Sequence, residues 1–429
     1  RGATRRDGAA DDDGLDVLHL VTNSLPWTQA GYTVRTHEIV TAQLAAGLHA
    51  EVLTRLGFPI ASGHLTAAER DEVGAVTYHR ALPPRLAGVV GSAPWHAQAV
   101  DHTERAVRRL HPRVLHAATD HLNGEVALAV RERTGVPVVY EVRGFLEDSW
   151  ASRQDTPTPG VGPDPRTTDR YRVARERETR CMRAADLVVT LGEEMRAEIA
   201  GRGVDPARIL VVPNAVDERF LGPVTAGPAC RGQWGLGDDE VVVGTVSTFY
   251  PHEGLDVLLH ALAALRAAGA PVRGLLVGDG PEAGRLRSLT DRLGLGGQVV
   301  FTGRVPMAQA PAYHAALDIF AVPRRRARVT ELVTPLKPVE ALAVGRPLVV
   351  SDVAPLARLV NESGGGLVAR AGDAASLAEA IGALCYAPER RAQMGRTGHA
   401  YVAAQLTWAA MARRYQAAYA GLVANRESR

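Results

Sequence analysis

The chain has 429 residues, of which 46% are hydrophobic and 22% charged, an ordinary soluble globular composition that at ~150 residues per domain suggests two or three domains. Its 49 basic and 47 acidic residues leave a formal charge of +2, too balanced to hold nucleic acid by bulk charge. Cys181, Cys230 and Cys385 form no C-x-x-C pair, and no apolar run nears the ~20 residues of a membrane span; a disulfide scaffold, a zinc knuckle and stable membrane insertion are thereby excluded, and a reduced cytoplasmic setting is expected.

In chain order, residues 1–14 (RGATRRDGAADDDG) have no apolar core of a secretory signal and are expected to be a disordered leader. Short apolar runs predict strands near Val17, Val52, Val114, Val139, Val188 and Val211, then near Val243, Leu276, Val300, Phe320 and Val349. Helical patterns fall between them, among them Thr33–Ala46, Asn123–Arg133, Leu255–Ala268 and Ala374–Leu384. Strand–helix alternation with continuous apolar strands predicts an α/β protein of parallel sheets covered on both faces. Eleven or more strands exceed one comfortable open sheet, so two doubly wound, Rossmann-like domains are expected. A Gly- and Pro-rich linker at Gly222–Gly232 separates 15–221 from 222–405, and Asp155–Pro165 is expected to be a mobile surface loop.

The most informative segment is Ile319–Asp352, which reads strand, arginine-rich loop, helix, strand. Thr334 and Pro335 suit an N-cap and first helical position, and a helix opening there would offer free N–H groups to a diphosphate. Lys337 is the only lysine in the chain and falls in the first turn, where a cation opposes the helix dipole unless an anion lies nearby. Glu340, one turn on, could accept hydrogen bonds from two ribose hydroxyls. An ordinary amphipathic helix with solvated charges is the alternative.

The pattern T-P-L-K-P-V-E-A-L-A-x-G-R-P-L-V-V-S resembles the nucleotide-sugar motif of glycosyltransferase family 4, retaining enzymes of the GT-B fold. Other segments agree in order over roughly Asp16–Tyr415: SLPWTQAGYTVRTHEIV from Ser24, YEVRGFLEDSW from Tyr140, VVPNAVD from Val211, HEGLDVLLHAL from His252, LLVGDGPE from Leu275 and FTGRVP from Phe301. The resemblance implies two domains facing a central cleft, with the acceptor held by 15–221, a nucleoside-diphosphate sugar (UDP- or GDP-) held by 222–405, and a final helix at 406–429 returning to the N-terminal domain. It implies donor-binding roles for Gly31, Ser247, Gly278, Arg304, Val305, Thr334, Pro335, Leu336, Lys337 and Glu340, with no metal and no cofactor beyond the sugar nucleotide. The branch is similar to actinobacterial polysaccharide and specialised-metabolite enzymes.

Two departures stand out. The family form has two glutamates flanking seven residues; the earlier, which contacts the transferred sugar, falls on Leu332, with Glu331 one residue off. Where many members carry an arginine and a lysine before the G-L-D helix, this chain has Ser247, Thr248, His252 and Glu253, so Arg324, Arg325, Arg326 or Arg328 is expected to supply charge to the phosphates.

In the N-terminal half, Gly31 would let backbone approach a ligand. His116, at a strand end, and His121, in the following loop, are alternative catalytic histidines, and Arg143 follows a strand that faces the ligand crevice. GDGPEAG at Gly278 is one residue off the G-x-G-x-x-G spacing, so an NAD site is not expected. The seven-arginine segment Arg166–Arg183 is expected to be a solvated helix with ion pairs to Glu176 and Glu178, rather than a lipid-binding face. No convincing D-x-D motif and no well-spaced carboxylate pair of the glycosidase kind are found. The expected function is transfer of a sugar to a small-molecule acceptor in specialised metabolism. Cell-surface polysaccharide synthesis, a nucleotide-sugar epimerase and a non-catalytic nucleotide-sugar binder are the alternatives; a homodimer is left open.

Overall fold

The computed structural model describes residues 14–427 apart from 84, 155–163 and 225; the expected leader and most of the expected surface loop lie outside the described residues. The chain forms two compact units, one of Arg1–Val142, Arg177–Val189 and Ala412–Arg429, the other of Arg143–Glu176 and Thr190–Met411.

The first unit carries β1 (Val17–Val21), β2 (Ala50–Thr54), β3 (Arg70–Val73), β4 (Val76–Arg80), β5 (Val114–Ala118), β6 (Val138–Val142) and β7 (Leu187–Thr190), ordered β3-β4-β2-β1-β5-β6-β7. β1 pairs in parallel with β2 and β5 in one register, Leu18 level with Glu51 and Leu115. β1, β5 and β6 are buried along their whole length, as strands covered on both faces must be. Only β3 runs antiparallel, to β4, among the pairings resolved here. Helices Gly31–Ala45, Ala93–Leu110 and His121–Thr134 alternate with these strands.

A short β8 (Ile209–Val211) comes next in the chain. The second unit's sheet follows: β9 (Val241–Val246), β10 (Val272–Val277), β11 (Val299–Gly303), β12 (Ile319–Val322), β13 (Leu348–Ser351) and β14 (Gly366–Ala369), ordered β11-β10-β9-β12-β13-β14 and parallel throughout. Its two faces are filled separately. Val242, Phe320, Leu342 and Val350 belong to one core; Val243, Leu258, Leu276 and Ile381 belong to the other.

All eleven strands expected from apolar runs are present. Three more had no such signal. β3 reads RDEV and is half-exposed to exposed, β4 reads VTYHR and pairs beside it, and β14 reads GLVA with only Ala369 buried. One boundary differs. The helix expected at Thr334–Pro335 is observed at Lys337–Ala343, with Leu336 already helical at φ −71 and ψ −40. Both prolines could open a helix, having no N–H to lose there. Pro338 is the one used, while the Thr334 carbonyl is held by Asn214 Nδ2 at 2.9 Å.

Candidate functional site

In the second unit β9 has β10 on one side and β12 on the other, so the chain leaves it in both directions. Such a switch point opens a crevice at the C-terminal ends of the strands. Ser247 follows β9, Gly278 follows β10, Arg304 follows β11 and Arg324 stands two residues past β12. Four residues scattered over 78 positions of sequence are thus brought to one edge of one sheet. The loops there are drawn tightly together: Ser247 N–H donates to the Val277 carbonyl at 2.9 Å and Phe249 N–H to the Asp279 carbonyl at 3.0 Å. Gly278 adopts φ +129, and a Cβ on it would meet the Ser247 carbonyl at 1.9 Å, so only glycine fits. Val305 is half-buried beside the exposed Arg304.

Each cation of the loop after β12 already holds a carboxylate. Arg324 pairs with Glu253 at 2.7 Å, Arg325 with Asp256 at 2.7 Å, and Arg326 with Glu331 at 2.7 Å and Asp352 at 2.9 Å. Arg328 bridges Asp148 at 2.9 Å and Glu198 at 2.5 Å, and Tyr171 Oη donates to the same Asp148 at 2.7 Å. A phosphate on any of these arginines would compete with a carboxylate. Glu331, one position before Leu332, is itself engaged, since it also accepts the Ala354 N–H at 3.1 Å.

These pairs make the second unit acid-sensitive. Burial pushes the Glu253 carboxyl up, but Arg324 and His252 outweigh it and hold it at about 2. Burial likewise raises Glu198, and Arg328, Arg202 and Arg175 bring it down to about 2. Both lie below their ordinary 4.5, so the stabilisation is fully present above that pH and is lost as pH falls toward 2. Glu253, which is buried, contributes on the order of 3 kcal/mol at neutral pH, and Glu198, more open to solvent screening, contributes less. The melting temperature is expected to fall steeply from pH 4.5 downward, and Glu253→Gln should remove part of that slope. A thermal melt that is flat across this range would contradict the assignment.

The helix Lys337–Ala343 carries both of its expected ligands on one face, Lys337 and Glu340 being three residues apart. Lys337 is half-buried, and among the described residues neither it nor Arg304 has an ion pair within 4 Å. Burial pushes the Glu340 carboxyl up, but His314 and Lys337 beside it hold it below its ordinary value. Leu336 is half-buried at the helix start, next to Thr334 and Pro335.

In the first unit the two candidate histidines differ. His116 is wholly buried: its Nδ1 lies 2.6 Å from Tyr419 Oη and its Nε2 3.4 Å from Glu141. Glu141 accepts from Arg35 Nη2 at 2.8 Å and from Tyr415 Oη at 3.0 Å. His19 joins through Gln43, 2.8 Å away, whose Nε2 donates to Tyr419 Oη at 3.1 Å. His121, by contrast, opens the helix His121–Thr134 with its side chain 18% exposed; its N–H donates to Glu178 at 2.8 Å. Gly31 opens the helix Gly31–Ala45, and a Cβ there would meet nothing within 4 Å among the described residues, so packing does not require the glycine. Arg143 directly follows β6 and is half-buried.

Several groups had no sequence signal. Glu178, expected to pair along an exposed helix, is 2% exposed and accepts from Tyr140 Oη at 2.5 Å; a buried acid on an arginine-rich helix cannot be told from its solvated neighbours by spacing. Thr22, Arg55, Asp120 and Asn123 meet at the ends of β1, β2 and β5, Arg55 Nη2 donating to Thr22 at 2.8 Å and Asn123 Nδ2 to Thr22 at 3.0 Å. Thr22, Arg55 and the Asp120–Asn123 segment lie far apart in sequence and only the fold unites them. Among the described residues no group of three or more His, Cys, Asp or Glu is placed to hold a metal ion, and no helix is long and apolar enough to cross a membrane.

Comparison with known proteins agrees with this architecture. Residues 30–215 match the model of a Glycosyl transferase 4-like domain and residues 228–400 that of Glycosyl transferases group 1. A GDP-mannose-dependent alpha-(1-6)-phosphatidylinositol monomannoside mannosyltransferase of Mycolicibacterium smegmatis is 32% identical over 55% of this chain, the match spanning 62% of that protein's own length. A D-inositol 3-phosphate glycosyltransferase of Segniliparus rotundus is 28% identical over 94% of this chain and 88% of its own. Among solved structures, sucrose-phosphate synthase from Thermosynechococcus elongatus superposes with a TM-score of 0.74 at 21% identity, covering 96% of this chain and 100% of that one. Anabaena Alr3699/HepE in complex with UDP and glucose superposes at 0.69 and 20% identity, covering 95% and 99%. Two parallel Rossmann-like sheets, one in each matched region, and these likenesses show the GT-B fold, carried by a chain that joins a Glycosyl transferase 4-like domain to a Glycosyl transferases group 1 domain.

Proposed function

We propose that this chain transfers a sugar, with retention at the anomeric carbon, from a nucleoside-diphosphate sugar (UDP- or GDP-) to a small-molecule acceptor. In this reading 222–405 binds the donor and 15–221 the acceptor. The observation that carries it is the helix Lys337–Ala343, which sets a cation with no ion pair among the described residues one turn from a carboxylate held in its charged form. That pairing suits a diphosphate and the two hydroxyls of a ribose. Charge builds on the departing diphosphate, so catalysis is mainly electrostatic, supplied by Lys337 and by Arg304, which among the described residues also has no ion pair within 4 Å. Ser247 and Gly278 give the phosphates a close backbone approach, and His121 and Arg143 serve the acceptor side.

Leucine at 332, with Glu331 tied to Arg326, removes a carboxylate from the transferred sugar and supports an unusual sugar. That favours a specialised-metabolite acceptor. The relatives' names, which concern phosphatidylinositol monomannoside and inositol phosphate, favour a polyol acceptor instead. Incubation with UDP- and GDP-sugars, with and without such acceptors and in EDTA, tests the reading. Acceptor-dependent release of nucleotide that persists in EDTA supports it. Release without acceptor points to an epimerase, binding without turnover to a non-catalytic binder, and a strict need for Mg²⁺ or Mn²⁺ to a different phosphate site. Glu340→Gln should weaken nucleoside-diphosphate binding by ~1.5–3 kcal/mol, the scale of a hydrogen bond to a charged group. Unchanged affinity by calorimetry would remove Glu340 from the site.

A further inference from the structure

His314 lies on the helix Ala310–Ala316 and is wholly buried. Its ring stacks on Phe320 of β12, centroids 5.2 Å apart and 22° between planes, and meets the edge of Phe220 at 5.9 Å and 76°. Two aromatic side chains therefore fix the plane of the imidazole. Neither ring nitrogen has an aligned hydrogen-bond partner among the described residues, although Nε2 lies 3.3 Å from Glu340 Oε2. A polar ring held in an apolar slot with its donors unspent contributes little to folding. A phenylalanine would fill the same slot.

We propose that His314 is a positioning residue that sets the Glu340 carboxylate for the ribose of the donor nucleotide, an inference that rests on the donor reading above. The terminal torsion of a glutamate is broad and two-fold, so an unrestrained carboxylate presents either oxygen to a ligand. His314 Nε2 approaches Oε2, at 3.3 Å. Donating its N–H there holds Oε2 inward and leaves Oε1 to accept from the ribose. The contact is unaligned in the free protein and closes with a small rotation of the carboxylate, as hydrogen bonds at binding sites commonly tighten on ligation. Lys337 on the same helix and Arg219, beside Phe220, are the other charges acting on Glu340; as cations they favour its ionised form and do not choose between its oxygens.

The test is calorimetric titration of the full chain with UDP and with GDP. His314→Phe keeps both ring contacts and removes the donor; it is expected to weaken binding about tenfold, the loss of one charge-assisted hydrogen bond, while the melting temperature holds or rises. His314→Gln, which retains an N–H at similar reach, should recover most of that loss. In a Glu340→Gln background His314→Phe should cost less than about twofold, because its effect runs through the carboxylate. In kinetics the donor KM rises and kcat changes little. Wild-type affinity in His314→Phe, or a full penalty added to that of Glu340→Gln, overturns the proposal while leaving the donor reading intact. A wild-type protein that binds neither UDP nor GDP overturns the donor reading, and the role of His314 with it.

Discussion

Lys337→Ala is expected to lower kcat/KM by at least ~100-fold, about 2.7 kcal/mol of transition-state stabilisation, with little change in fold or melting temperature. Lys337 sits in the first turn of a helix, where a cation is disfavoured by the peptide dipoles, and no carboxylate within 4 Å compensates it among the described residues. The arginines around it are placed otherwise: Arg324, Arg325, Arg326 and Arg328 each hold an acid. Removing Lys337 therefore removes no protein–protein ion pair, which is why stability should be spared. An anion bound there loses its nearest uncommitted charge. A compact ammonium can point at one diphosphate oxygen where a planar guanidinium is too broad, so Lys337→Arg should rescue poorly. Near-normal turnover in Lys337→Ala would make the lysine a bystander and return the diphosphate to the arginine loop, at the cost of opening an ion pair such as Arg324–Glu253.

What the sequence made legible follows from range. Strands buried on both faces are continuous apolar runs, so β1, β5, β6 and β9 could be read directly, whereas β3 is an edge strand of charged residues and β14 has one buried residue among four. Lys337 and Glu340 were legible because one helical turn fixes their relation. The carboxylate partners were not: Glu253 meets Arg324 across 71 positions and Asp148 meets Arg328 across 180, and no local pattern reports such a pairing. That missing information bears on the chemistry, since a phosphate on any of these arginines would compete with an acid that the sequence does not place beside it. His314 was invisible for the opposite reason, a single histidine in an apolar helix being indistinguishable from packing until Glu340 is seen beside it.

The buried network around Glu141 carries the largest expected effect on stability. Glu141 is wholly buried and Arg35 is 3% exposed, so neither charge has water to fall back on. Burial lowers the Arg35 guanidinium's pKa, and the Glu141 and Tyr415 contacts more than reverse it, holding the cation charged. Glu141→Leu removes the carboxylate that neutralises this buried cation, and takes an acceptor from Tyr415 Oη and the neighbour of His116 Nε2. Loss of one partner of such a pair costs about 3–5 kcal/mol, whereas replacing both by apolar groups of similar size is often near neutral. Glu141→Leu should thus lower the melting temperature by at least about 6 °C, at roughly 2–4 °C per kcal/mol for a unit of this size. Arg35→Met with Glu141→Leu should melt closer to wild type than Glu141→Leu alone. The same network ties the residues Ala412–Arg429 to β5 and β6 through Tyr415 and Tyr419, so the loss should also free that terminal helix to hydrogen exchange. His116 would then owe its place to this scaffold rather than to a substrate, and His116→Leu should melt below wild type while His121→Leu does not. A Glu141→Leu protein melting with the wild type, or a double variant worse than the single, would mean that the ion pair is not what holds these strands and the helix together.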